Sequence, residues 1–323
     1  MSYLILASQA LLAFWLLRES RAQPRSPYYS YLQSLPQSYS NPYFCSPEER
    51  RLLPEYLSSK VEEQEKLVLR DYQKILKIED VWSLREFSWA WFTVNTRAVY
   101  LKHDPRYESQ SHLPSSDCLA LVPYLDLLNH SGAVNVRPVV SRDSYSIVSL
   151  SPVGKYHQAF ISYGPHDNTK LLIEYGFCLN DNPHESYNIS MEDIIKFVES
   201  SEFECPDIDE KITMIRDREL DLKLCIIEEG FTWSLKTVLK LLSFQDGNYD
   251  CDSLLEKAYN EEDDEKYCSL YLTFLSFLWT RLTRERTKMK SILTECSGQF
   301  AQCYHLVDSH LRLLDRARSA LTL

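Results

Sequence analysis

Two short segments hold most of the residues that could do chemistry. The first is Val122-Pro123-Tyr124-Leu125-Asp126-Leu127-Leu128-Asn129-His130-Ser131, an apolar run ending in Asn-His. The second starts at Ala159-Phe160-Ile161-Ser162-Tyr163-Gly164 and turns through Pro165-His166-Asp167-Asn168. It then runs on to Leu172-Ile173-Glu174-Tyr175-Gly176-Phe177. An asparagine side chain both donates and accepts, so it can grip a polar group on two sides. Two tyrosines, each followed by glycine, put phenols beside open backbone. That suits a narrow pocket with aromatic walls and carbonyl oxygens. An Asn-His or Tyr-Gly pair alone is equally at home in an ordinary core. Glycine usage favours the pocket. The chain has only 7 glycines in 323 residues, none before Gly132, and Gly132, Gly154, Gly164 and Gly176 fall in this block. Average usage would give roughly 20 or more. Close backbone approach is one of the few reasons to keep glycine here.

A third candidate lies upstream. Arg97, in Asn95-Thr96-Arg97-Ala98, sits within a run from Val81 to Leu101 that is apolar nearly all round. A guanidinium among apolar groups needs an anionic partner. The 9 cysteines are odd in number, widely spaced and lack a CxxC pair. They read as reduced thiols of an intracellular protein. Cys296, Cys303 and His305 are the tight group, but they lack a fourth ligand, so no metal site is expected.

The elements that must position these residues follow from patterning. Tyr3 to Leu17 is uncharged, but no cation precedes it and no small-residue cleavage site follows, so it reads as a buried helix rather than a signal peptide. Pro24, Pro27, Pro36 and Pro42 break the next stretch, and Ser46-Pro47-Glu48-Glu49 starts a helix. Val61 to Lys77 is an amphipathic helix, and Val81 to Leu101 a buried one. Cys118–Leu128, Val134–Val140, Tyr145–Leu150 and Ala159–Tyr163 are short β-prone runs. Helices return at Ile194–Val198, Glu210–Glu228, Ser234–Phe244, Lys266–Leu282 and from there to Leu323. Asn260 to Glu265 is an acidic connection exposed to solvent. Cys268 to Thr280 lacks charge but is too short to span a bilayer. Lys plus Arg is 35 and Asp plus Glu is 46, a net charge of −11. Nucleic acid and anionic membranes are therefore poor partners. The glycine distribution excludes GxGxxG and P-loop nucleotide sites.

Val94-Asn95-Thr96-Arg97-Ala98-Val99-Tyr100-Leu101, the Asn129-His130 segment and the Tyr163-Gly164 to Tyr175-Gly176-Phe177 segment together resemble the SET domain family of lysine methyltransferases. Within it they are similar to the Rubisco large-subunit methyltransferase class. Tyr31-Leu32-Gln33-Ser34-Leu35-Pro36 and Ser46-Pro47-Glu48-Glu49 extend the likeness over nearly the whole chain. The resemblance implies an α+β fold. Residues 116–182 would be the C-terminal half of the SET β-fold, 1–115 its helical insertion, and 183–323 an all-α, substrate-binding-like domain. It implies S-adenosylmethionine as cofactor and no metal. Asn129 would hold the methionine end, with the His130 backbone on adenine. Arg97 would meet the carboxylate, Phe177 would stack on adenine, Tyr163 would be catalytic as well as cofactor-binding, and Tyr175 would line the lysine channel. Arg97, Asn129 and Phe177 should then converge on one pocket.

In that class a β segment with a Gly-x-Gly loop opens the domain. Residues 1–131 contain no glycine. The resemblance thus implies that the N-terminal SET strands are absent, that the chain is poorly stable alone, and that it binds cofactor weakly or not at all. The expected function is protein-lysine N-methylation, with this chain inactive for want of the loop. The alternative is a non-catalytic remnant that docks partners through its C-terminal helices. Either way the partner is a protein, and histones, other proteins and a histidine acceptor all stay open. The protein would be a monomer of the cytoplasm or nucleus.

Overall fold

The computed structural model describes residues 7–100, 119–141, 144–200, 205–245 and 251–322. They belong to two compact units, Met1–Pro183 with Cys296–Cys303 and His184–Glu295 with Tyr304–Leu323.

The first unit is built on helices. α1 (Ser8–Ala22) buries Ala10, Ala13, Phe14, Leu16 and Leu17. It runs past the apolar stretch through Arg18-Glu19-Ser20-Arg21, since Arg and Glu are good helix formers, and Gln23-Pro24 stops it. Residues 3–6 of the expected helix lie outside the described residues. α2 (Tyr29–Ser34) is short. α3 (Pro47–Arg50) starts at the capping box of Ser46 and Glu49. α4 (Glu55–Leu76) begins six residues before Val61, because Pro54 sets its N-terminus. α5 (Leu84–Arg97) is shorter than the apolar run at both ends. The Ser83–Glu86 capping box fixes its start. Beyond Arg97 the chain extends into β1 (Val99–Tyr100), which pairs with β2 (Leu119–Ala120). Leu16, Leu17, Val68, Ile75, Phe87, Trp91 and Phe92 share one core, which anchors α5 and so the position of Arg97.

The strands are short, as expected, with one correction. Of the β-prone run Cys118–Leu128, Cys118 lies outside the described residues and only β2 is a strand. Pro123 has no N–H for a ladder. Tyr124 adopts φ 71° and opens a tight turn over Leu125–Leu127. β3 (Asn129–His130) pairs in parallel with β6 (Phe160–Ile161). Between them β4 (Val136–Val140) and β5 (Tyr145–Ser149) form an antiparallel hairpin. α6 (Asn168–Lys170), capped by Asp167, passes into a wide π-type turn over Leu171–Tyr175.

The second unit holds β7 (Tyr187–Asn188), α7 (Met191–Ser200), α8 (Ile208–Asp217), β8 (Cys225–Ile227), β9 (Gly230–Phe231), α9 (Trp233–Ser243), α10 (Cys251–Asn260) and α11 (Glu265–Lys290). α12 (Gly298–Leu321) contributes its residues from Tyr304 on. This unit is helical but not all-α: β8 pairs with β7 and β9 in a three-stranded sheet. The helix expected over Glu210–Glu228 ends at Asp217, and Glu219 turns the chain at φ 53°. Cys225-Ile226-Ile227 is then free to extend, since β-branched residues favour strands. Gly230, at φ 114°, closes the hairpin. Asp263, in the acidic connection, is not simply solvated. It accepts bonds from Lys236 (2.6 Å), Lys240 (2.8 Å) and Tyr271 (2.9 Å). Burial alone would raise its pKa, but these donors prevail and bring it down to about 2. Among the described residues no helix is long and apolar enough to cross a membrane.

His310 yields a first expectation. It is fully buried, its ring is 4.8 Å from that of Tyr187, and desolvation lowers its pKa to about 3. An unfolded histidine titrates near 6.5. The unfolded chain therefore takes up a proton that the folded unit refuses. This contribution to stability is complete above pH ~6.5 and falls by up to about 1.4 kcal/mol per pH unit on acidification below that point. Thermal melts between pH 7.5 and 4.5 should show the loss, and His310→Phe should flatten it. An equal slope in the variant would assign the effect to other groups.

Candidate active site

The end of α5, the Leu125–Leu127 turn, the β4–β5 hairpin and the Ile161-Ser162-Tyr163 segment at the end of β6 line a cavity of about 590 Å³. That is the size of an ordinary small-molecule site. Arg97, Asp126, Leu128, Tyr163 and Tyr175 are among its walls.

Arg97 closes the last turn of α5, where a cation also faces the negative end of the helix dipole. Its Nη1 donates to the Asp126 carbonyl (2.8 Å) and to Asp126 Oδ2 (3.3 Å). Tyr31 Oη donates to the same Oδ2 at 2.8 Å. The anionic partner that Arg97 required is thus Asp126, whose side chain is 1% exposed against 17% for Arg97. Among the described residues, one atom on each remains buried without a partner, Arg97 Nε and Asp126 Oδ1. Both residues line the cavity, so the pair stands where a charged ligand group would meet it.

Tyr163 is held at two points. Its backbone N–H donates to His130 Nδ1 (3.0 Å), and its phenol donates to the Leu128 carbonyl (2.8 Å). His130, buried at the end of β3, therefore acts as a neutral acceptor through Nδ1. Burial raises the pKa of Tyr163, and the nearby Arg97 only partly offsets this. Burial also raises that of Tyr175, helped by Glu174 and Tyr163. Both phenols stay protonated at neutral pH. The Tyr163 ring lies 5.1 Å from His130, 4.9 Å from Tyr175 and 6.4 Å from Phe177. Phe177 lies 6.1 Å from His130, closing an aromatic cluster.

Gly176 makes this cluster feasible. It sits at φ 83°, and a Cβ there would lie 2.9 Å from the Asn41 amide nitrogen. Gly164, at φ 130°, lets His166 fold back over it, where a Cβ would meet the ring at 2.7 Å. That ring lies 6.3 Å from Tyr175. Burial and then Lys170 lower its pKa, so it is neutral at pH 7.

Of the residues singled out in the sequence, Arg97, Tyr163 and Tyr175 share the cavity wall, and His130 and Phe177 back Tyr163 in the aromatic cluster. Asn129 is exposed on β3, on the face opposite His130, and neither it nor Phe177 is on the cavity wall. Sequence reasoning assigned no role to three polar groups. Asp126 carried a signal, a lone acid in an apolar run. Asn95 donates to the Glu174 carbonyl and carboxylate, both at 2.8 Å, and takes a bond from Gln9 (3.0 Å). Gln9 gave no signal, since its partner lies 86 residues away. Among the described residues no three His, Cys, Asp or Glu side chains are placed to hold a metal.

No family model matches the chain. SET domain-containing protein 4 of Homo sapiens is 38% identical over 254 residues, which is 74% of this chain and 56% of that protein. The chain thus spans about half the length of this curated relative. Rubisco LSMT bound to AdoMet superposes with a TM-score of 0.62 at 15% identity, over 97% of this chain and 74% of that one. Rubisco LSMT bound to sinefungin and monomethyllysine gives 0.63 at 16%, over 96% and 73%. The chain has the SET methyltransferase fold of Rubisco LSMT and is a homologue of SET domain-containing protein 4.

Proposed function

We propose that this chain carries the methyl-acceptor side of an S-adenosylmethionine-dependent protein-lysine N-methyltransferase. The observation that carries the reading is the cavity walled by Arg97, Asp126 and the two neutral tyrosines Tyr163 and Tyr175. Arg97 on the cavity wall suits the cofactor's carboxylate, since its guanidinium offers a fork geometry that lysine lacks. Asn129, the His130 backbone and Phe177 would have to meet the cofactor beyond this wall, since none of the three lines the cavity. When bound, S-adenosylmethionine supplies a methyl group on positively charged sulfur, which a neutral amine can take in one in-line displacement.

The residues present act by placement. Tyr163 and Tyr175 are not bases at pH 7, because burial keeps their protons on. Their rings exclude water, and a lysine entering between them is desolvated. That lowers its pKa and favours the free amine. The Tyr163 proton is committed to the Leu128 carbonyl, so its oxygen is left as an acceptor for an amine N–H. The methyl and nitrogen are thereby aligned without covalent catalysis.

The acceptor we propose is a lysine in a protein segment. A net charge of −11 favours basic segments over nucleic acid. We assign the chain to the cytoplasm or nucleus, acting as a monomer. Calorimetric titration with S-adenosylmethionine to millimolar concentration, paired with tritiated methyl transfer to lysine-rich proteins, tests the reading. Weak cofactor binding, with slow labelling confined to lysine, is expected. A chain that neither binds the cofactor nor transfers label would overturn the reading in favour of a docking module.

A further inference from the structure

The π-type turn that carries Tyr175 ends in an unusual way. The Gly176 N–H serves the carbonyls of Leu171 and Leu172, both at 3.0 Å. The next carbonyl, that of Ile173, receives two side-chain donors at once, Asn41 Nδ2 at 2.8 Å and Gln64 Nε2 at 3.0 Å. A helix end needs donors for its last carbonyls, but one each is enough. Asn41 is 0% exposed and Gln64 4%. Among the described residues, each leaves its own oxygen buried without a partner. An apolar residue at one of the two positions would avoid that desolvation and keep the carbonyl satisfied. Stability alone therefore does not explain the pair.

Position does. Ile173 is two residues before Tyr175, and a rotation there swings the phenol across the cavity. The backbone of Asn41 also abuts Gly176, one residue after Tyr175. The turn is thus gripped on both sides of the tyrosine. We infer that Asn41 and Gln64 are positioning residues that aim Tyr175 into the cavity beside Tyr163. The inference rests on the reading of Tyr175 as a wall of the lysine channel, and its main test reads the ring without requiring turnover.

The test places 3-fluorotyrosine at position 175 of the 323-residue chain, with a control label at the half-exposed Tyr259, and records fluorine NMR. Gln64→Met and Asn41→Leu each leave one donor on Ile173, so both variants should fold. The Tyr175 signal should shift or broaden in each, and further in the double variant, while the Tyr259 signal stays put. Gln64→Glu adds a pH readout. Its neutral acid can donate to the carbonyl and its carboxylate cannot. The Tyr175 signal should return toward the wild-type position on acidification, with a midpoint above the ordinary ~4.3 because the site is buried. In an active preparation the single variants should lower kcat about three- to tenfold, the worth of one modest hydrogen bond, with KM unchanged. An unmoved Tyr175 signal in the double variant would overturn the inference. So would a pH-independent signal in Gln64→Glu, or equal movement of both labels.

Discussion

In an active preparation, Tyr163→Phe is expected to lower methyl transfer about a hundredfold or more, the scale seen when one preorganised polar contact to a transition state is removed. The substitution deletes only the hydroxyl. The ring keeps its packing against His130 and Tyr175, and the backbone N–H keeps its bond to His130 Nδ1. What is lost is the bond to the Leu128 carbonyl and the oxygen that would take an amine N–H. The first loss costs stability about 0.5–1.5 kcal/mol, too little to unfold the site. The rate loss should therefore appear in kcat with cofactor affinity nearly unchanged. The pH profile is a second check. Because burial raises the Tyr163 pKa, wild-type activity should not fall toward pH 9 through ionisation of this phenol. Normal turnover by Tyr163→Phe would remove Tyr163 from the chemistry and leave it a core residue.

The residues that place Tyr163 show how far the sequence was legible. The Asn-His and Tyr-Gly pairs were visible because they end apolar runs and because most of the chain's few glycines fall beside them. The helices were visible because three-four periodicity and capping residues are local. α3 and α5 start at the serines whose side chains cap them. Three features were not local. Asp126 is one acid in a run of leucines, and only the fold shows that it neutralises Arg97 from 29 residues away. Gln9 reaches Asn95 across 86 residues, and Asn41 reaches Ile173 across 132. β8 was hidden inside a helical pattern, because apolar spacing cannot register the left-handed turn at Glu219. Asn129 lies off the cavity wall for a related reason. Alternation along β3 allows only one of Asn129 and His130 to face inward, and the buried one is His130.

Arg97→Met should produce the largest stability change in the first unit, about 3–5 kcal/mol. Removing one partner of a buried ion pair strands the other charge. Asp126, 1% exposed, would keep only the Tyr31 phenol at 2.8 Å as a side-chain donor. At about 2–4 °C per kcal/mol for a unit of this size, the melting temperature should fall by roughly 10 °C. The companion variant Arg97→Met/Asp126→Leu removes both charges and should recover most of that loss, since well-packed apolar pairs replace buried ion pairs at little cost. Cofactor affinity should not recover with it, because the double variant also lacks the charged groups that Arg97 and Asp126 place on the cavity wall. Stability and binding thus part company in one pair of variants. A single variant as stable as wild type would show that Asp126 does not depend on Arg97. A double variant that binds S-adenosylmethionine normally would show that the pair braces the fold without touching the cofactor.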